Sequence, residues 1–317
     1  MNTATTPFER LSRERRLAIV IVLNVAIVVA QAVTGVVAGS LGLLADAGHN
    51  LSDVGAIVLS WWAIRLSHRR PTQSRSFGWH RSTVLAAQAN AAAILAVTAL
   101  IAFEAVHRLG NPTDVRGGVV MIAALVALAG NGASVILLRD SHVHRDLNMR
   151  SALLHMVGDV AASAGVAIAG LVIFLTDGNY WVDPVVSLAV GLLITREAVR
   201  LLRATTDVLL EATPAGLDLA ELVDTVAADP SVDDVHDVHA WALSSDVHAL
   251  SAHLVMNGHP TLEEAQVVGD RIKRLIAERF HITHATLELE CEPCMDDDRD
   301  PCAMDGLTPT LEHRHAH

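Results

Sequence analysis

Six apolar runs dominate the first two thirds of this 317-residue chain, each close to the roughly twenty residues a helix needs to cross a bilayer. They cover about residues 17–37, 41–64, 84–106, 117–138, 152–175 and 184–202. Arginines crowd every second connection: the N-terminal arm (Arg10, Arg13, Arg15, Arg16), the loop of about 65–83, the loop after the fourth run (Arg139, Arg145, Arg150) and the segment after the sixth. The other connections are short and carry almost none. Positive charge is retained on the cytoplasmic side, so six spans with both termini in the cytoplasm are expected, in a multi-pass protein of the cell's inner (plasma) membrane. Trp61 and Trp62 close the second run, where aromatic rings favour the interface. The N-terminal arginines precede a run too long for a signal-peptide core, so no cleavable leader is expected.

Charge divides the chain at about residue 204. The first 204 residues hold 12 acidic and 17 basic residues, and the remainder 23 acidic and 6 basic. A basic-flanked membrane part thus precedes an acidic soluble part, which would repel a phosphate backbone and argues against nucleic-acid binding. The expected organisation is a cytoplasmic arm (1–16), a six-helix transmembrane domain (17–204), a soluble domain (205–290) and a flexible tail (291–317). In the soluble domain, about 218–228 reads as a helix, 232–243 and 246–256 as strands, 261–280 as an amphipathic helix with Ala265, Val268, Ile272 and Ile276 at helical spacing, and 282–290 as an alternating strand. That α-β-β-α-β order fits a small ferredoxin-like α+β sheet. All three cysteines, Cys291, Cys294 and Cys302, lie near the end, so a Cys-x-x-Cys there reads as metal-binding or redox rather than a disulfide scaffold. The His-rich ending suits either loose metal binding or a solvated tail.

Two His-x-x-x-Asp pairs stand inside apolar runs: His49 and Asp53 in the second, His155 and Asp159 in the fifth. Residues four apart share a helix face, so each pair offers one imidazole nitrogen and one carboxylate to a common point. Two such helices facing each other supply the four N/O ligands of a tetrahedral zinc site. Ionisable residues inside membrane helices mark functional sites. Imidazole favours zinc, cobalt, nickel or copper over magnesium, calcium or manganese. No His-Glu-x-x-His occurs, so a metalloprotease is excluded, and no phosphate-binding Gly-rich loop supports an ATP-driven pump. No enzymatic activity is expected. Metal binding requires neutral imidazole and ionised carboxylate, so protons and metal compete for the same atoms. A site that opens alternately to each side would exchange one for the other. An uncoupled metal channel or uniporter, and a membrane-anchored metal sensor, remain as alternatives.

Longer stretches carry a resemblance. S-L-G-L-L-A-D-A-G-H-N-L-S-D in the second run, F-G-W-H-R before the third, D-L-N-M-R-S-A-L-L-H-M-V-G-D entering the fifth, and V-H-D-V-H-A-W with H-A-L-S-A-H-L-V in the soluble part are similar to the cation diffusion facilitator family of zinc, cobalt and cadmium transporters. The resemblance implies a homodimer of six-span subunits that exports zinc, with cobalt or cadmium sometimes accepted, against protons. It places the transport site at His49, Asp53, His155 and Asp159. It also implies a regulatory metal at His236 and His253 with Glu290, Cys291, Glu292 and Cys294, where the family's prototype has different residues at two positions. Those histidines are alternatively strand residues paired within the dimer interface. His68 and His80 lie in the loop where some members bind a further metal, but that loop lacks the acidic ligand. Arg81 and Glu211 match an interlocking charge pair between membrane and soluble domains.

Overall fold

The computed structural model describes residues 13–138, 147–244 and 247–291; side chains at 13–21, 23, 57, 60, 134–138 and 147–157 lie outside that description. Six long helices come first: α1 (Arg13–Ala38), α2 (Leu41–Ser67), α3 (Ser82–Gly110), α4 (Gly117–Leu138), α5 (Leu147–Thr176) and α6 (Val182–Leu209). They occupy the six apolar runs and overrun most of them. α6 continues well past the expected end near 202 because adding a residue to a formed helix costs little compared with starting one. By length and composition, two helical stretches among the described residues suffice to cross a membrane, Ser82–Gly110 and Gly158–Thr176; Asn24–Ala38 and Gly117–Ala133 are shorter apolar segments. The polar residues of α2 (Asp46, His49, Asn50, Asp53) and of α6 (Arg196, Glu197, Arg200) dilute their apolarity.

The chain divides into two compact units: Met1–Ala63 with Ala86–Arg203, and Ile64–Leu85 with Ala204–His317. In the helical unit, glycines set the α4–α5 distance. A Cβ on Gly117 would meet the Phe174 backbone nitrogen at 2.6 Å, and one on Gly170 would meet the Met121 backbone nitrogen at 2.6 Å. Small residues at such contacts let helices approach closely where no hydrophobic effect drives them together. Between α1 and α2, Gly39 adopts φ +70° in a tight turn. Asp183 of α6 then receives the first amides of α2, Leu41 N at 2.7 Å and Gly42 N at 3.3 Å, together with the Ser40 hydroxyl. These are the donors a helix start leaves without partners. Outward, α1 shows Val22, Val29, Val33 and Val36, and α3 shows Leu100 and Phe103. Such apolar exposure on a helical unit suits lipid rather than water.

The second unit contains α7 (Leu219–Ala227), β1 (Val232–Ala242), β2 (His248–Met256), α8 (Leu262–Phe280) and β3 (His284–Glu290). The sheet runs β1-β2-β3, with β1 and β2 antiparallel and β2 and β3 parallel. The parallel pair requires a crossover, and α8 provides it. Leu222 and Val226 of α7, Ile272 and Ile276 of α8, and Val235, Leu250 and Leu254 of the sheet form the core. Asp218 caps α7, and Thr261 with Glu264 forms a reciprocal capping box at α8. The third strand begins at His284 rather than near 282. His281 ends α8 in the left-handed conformation at φ +56°, and Ile282 turns into the core instead of joining the ladder.

Candidate metal centres

α2 and α5 bring His49 and Asp159 together. His49 Nε2 lies 2.9 Å from Asp159 Oδ1 and 3.9 Å from Asp53 Oδ2. One ligand atom from each of these three residues falls within 4.8 Å of the others. Side-chain exposures of 17% for His49, 13% for Asp159 and 34% for Asp53 leave the cluster shielded but reachable. The helical period puts Asp53 one turn from His49, on the same face. His155 stands one turn before Asp159 on α5, and its side chain lies outside the described residues. A cavity of about 260 Å³ is lined by His49, Ser52 and Gly55 of α2, Asn90 and Thr98 of α3 and Gly191 of α6.

One turn from this layer is a second polar layer that spacing alone did not single out. Ser163 Oγ donates to Asp46 Oδ2 at 2.9 Å, and Gln31 Nε2 of α1 donates to the same oxygen. Asn50 Nδ2 donates to Gln31 Oε1 at 3.1 Å, and Asn131 Nδ2 of α4 to Ser163 Oγ at 3.4 Å. The signal was present in the sequence: Asp46 is three residues before His49 and Ser163 four after Asp159, so each falls next to a ligand on its helix.

The α/β unit assembles another cluster. His236 and His253 are cross-strand partners on β1 and β2. Their rings stand 5.4 Å apart at 65°. Glu290, the last residue of β3, places Oε1 2.8 Å from His253 Nδ1 and Oε2 3.4 Å from His236 Nε2. These three also offer ligand atoms within 4.8 Å of one another. Neither ring nitrogen of His236 makes a hydrogen bond, but each faces a carboxylate: Nδ1 lies 3.3 Å from Asp234 Oδ2 and Nε2 3.4 Å from Glu290 Oε2. A β-bulge between His236 and His239 holds Asp237 at φ +48°. It aims the Asp237 carboxylate at His253 Nε2 (3.5 Å) and His239 Nε2 (2.9 Å). A carboxylate behind a ligating histidine fixes its ring and tautomer.

The remaining candidates fare differently. Cys291 follows β3 and is exposed; Glu292 and Cys294 lie outside the described residues. His68 is exposed and His80 half-buried, and neither joins a ligand group among the described residues. Arg81 Nη2 donates to Glu211 Oε1 at 2.7 Å, joining the α2–α3 loop to the turn after α6, where Glu211 is left-handed. The same loop sets Phe77 edge-on against His284 of β3, 5.5 Å between ring centres. Away from the clusters, the Arg271 guanidinium grips Asp229 with two hydrogen bonds of 2.9 and 2.7 Å and holds its carboxyl below the ordinary carboxylate range.

Comparison with known proteins agrees with this two-part build. Residues 17–210 match the cation efflux transmembrane domain, and residues 214–292 match the cation efflux protein cytoplasmic domain, a dimer-forming module. The chain is 36% identical to the zinc transporter ZitB of Escherichia coli over 304 residues, covering 95% of this chain and 94% of that protein. It is 35% identical to the metal cation efflux system protein CzcD of Cupriavidus metallidurans, covering 89% and 88%. A cadmium, cobalt and zinc/H(+)-K(+) antiporter of Bacillus velezensis is 28% identical over 96% of this chain and 97% of its own length. The metal-bound C-terminal domain of the CzcD transporter is 36% identical over 23% of this chain and 99% of that domain, with a TM-score of 0.22. The chain belongs to the cation efflux, or cation diffusion facilitator, family of membrane transporters.

Proposed function

We propose that this protein is a six-span exporter of zinc that moves the ion out of the cytoplasm in exchange for protons. The carrying observation is the convergence of His49, Asp53 and Asp159 from two apolar helices to within 4.8 Å. His155 completes the set as the fourth N/O donor. Carboxylates and imidazole buried in membrane helices are costly unless they serve passage. One imidazole donor already biases the site toward zinc-like ions and away from manganese, magnesium and calcium. Zinc, cobalt and cadmium in the names of the relatives support that class.

Coupling follows from the ligand atoms. When the site faces the cytoplasm, the zinc substrate displaces protons from His49, His155 and the two carboxylates. When it faces outward, protons return to those atoms and the ion leaves. His49 Nε2, already 2.9 Å from Asp159 Oδ1, is placed to hold a proton shared with that carboxylate between cargoes. Both termini are cytoplasmic, and the protein works as a homodimer in the inner membrane. In the α/β unit, His236, His253 and Glu290 bind a regulatory divalent ion, with Asp237 orienting His253. Arg81 and Glu211 fix how the α2–α3 loop meets the end of α6.

The test is flux into liposomes holding the purified protein, read with a zinc dye and a proton dye together. Zinc moving one way and protons the other, both abolished by Asp159→Ala, is the expected result. Zinc flux without protons would make the protein a uniporter or channel. No flux, with tight zinc binding at the α/β unit, would make it a sensor.

A further inference from the structure

Asp46 has no part in the four-ligand site, yet it is the most completely buried carboxylate among the described residues. It is 0% exposed, between Gln31 at 1% and Ser163 at 0%. Both available donors, Gln31 Nε2 and Ser163 Oγ, go to Oδ2. Oδ1 is buried with no hydrogen-bond partner. The surrounding helices α1, α2, α4 and α5 carry arginine only near their ends, at Arg13, Arg15, Arg16, Arg65 and Arg150, and no lysine. A carboxylate oxygen buried without a donor is costly unless something completes it. A cation arriving at Oδ1 would complete it.

Position says which cation. α2 and α5 run antiparallel through the site, with His49 against Asp159 and, one turn nearer the α1–α2 turn, Asp46 against Ser163. The two layers are stacked along the same pair of helices. The second offers oxygen only, the Asp46 carboxylate and the Ser163 hydroxyl; Gln31 turns its amide nitrogen to Asp46 Oδ2 and its carbonyl to Asn50, which leaves Asp46 Oδ1 as the open acceptor. Such a set binds zinc-like ions more loosely than one containing imidazole. We propose that Asp46 and Ser163 form an all-oxygen divalent-cation subsite, the station a metal ion occupies after it leaves the His49–Asp159 layer. This rests on the transport-site reading above and adds a second step to the route.

The experiment uses the full chain in detergent with ¹¹³Cd as probe, read by NMR, beside zinc titration and zinc flux in liposomes. Wild type at excess cadmium should show a resonance from an all-oxygen environment besides those from nitrogen-containing sites. Asp46→Asn should remove that resonance, slow flux about tenfold, which is about 1.4 kcal/mol on the barrier, and leave the tight intramembrane affinity within about threefold. Ser163→Ala, which keeps the carboxylate, should weaken the resonance without removing it. An all-oxygen signal unchanged in Asp46→Asn would overturn the subsite. So would a large loss of tight affinity, because Asp46 would then act only by positioning His49. His49→Ala separates the two readings: if it leaves all tight binding intact, the transport site itself falls and the subsite with it.

Discussion

Among the described residues, two clusters of histidine and carboxylate come within reach of a shared ion, and they are built by opposite means. In the helical unit, ligand spacing is local: His49 and Asp53 come from one turn of α2, and only the facing of α2 and α5 must be arranged. In the α/β unit no two ligands are helical neighbours. His236 meets His253 through strand pairing, and Glu290 arrives on a third strand after the α8 crossover. The first is therefore tuned by helix–helix distance, the second by register and by the bulge at Asp237. A one-residue slip in a strand sends every side chain to the other face, whereas a small helix rotation only loosens a ligand set.

The sharpest break of this contrast is Asp159→Asn. It should reduce zinc flux at least about 100-fold, since even outer-shell losses at metal sites cost about 10–100-fold. Metal binding by the α/β unit should be unchanged, as read by zinc titration of a His49→Ala, Asp159→Asn double variant. A bulky change at a helix contact comes next. Gly170→Leu has no room against Met121 and should cost about 1–3 kcal/mol or more by overpacking. It should lower thermal stability in detergent and transport together, while circular dichroism keeps the strand signal of the α/β unit. In the second cluster, Asp237→Ala should weaken regulatory metal binding about tenfold by releasing the His253 ring. Flux at saturating zinc should hold nearly constant, and a parallel collapse of flux would show the clusters to be one machine.

Smaller effects test the joints around the α/β unit. Arg81 and Glu211 are 35% and 61% exposed, so their pair is worth roughly 0.2–1 kcal/mol. Arg81→Ala or Glu211→Ala should slow transport modestly, and the charge-swapped double variant should restore it; absence of rescue would remove the pair from the coupling. Smallest is Arg271→Ala. Arg271 lowers the Asp229 pKa, so the ionised carboxylate stabilises the fold above the ordinary Asp range near pH 3.9 and loses that contribution as pH falls through its lower folded value. The variant should thus be less stable at neutral pH, and the gap should close in acid, as followed by hydrogen exchange in α8.

Much of the chain was legible before folding. The fourth run was expected at 117–138, where α4 lies, and the amphipathic 261–280 became α8 within a residue. Apolar run length and a 3.6-residue period are local properties, and a helix satisfies its backbone within itself. That His49 and Asp53 share one face of α2 was legible for the same reason. Asp46 was visible only as one more polar residue of the second run, because its meaning depends on Gln31 and Ser163 from other helices. Glu290 was assigned by resemblance, yet nothing local shows that its carboxylate reaches both His236 and His253.

The sequence by itself determined the order and approximate extent of the helices and strands, which charges flank them, and that His49 and Asp53 share a helix face, since each of these follows from spacing along one element. Only the tertiary structure decided that His49 faces Asp159 at 2.9 Å, that Asp46 keeps an oxygen without a donor, and that a left-handed Asp237 turns its carboxylate toward His253. Those facts depend on the distances between elements, which glycine contacts, strand register and one bulge set, and no spacing within a single element encodes them.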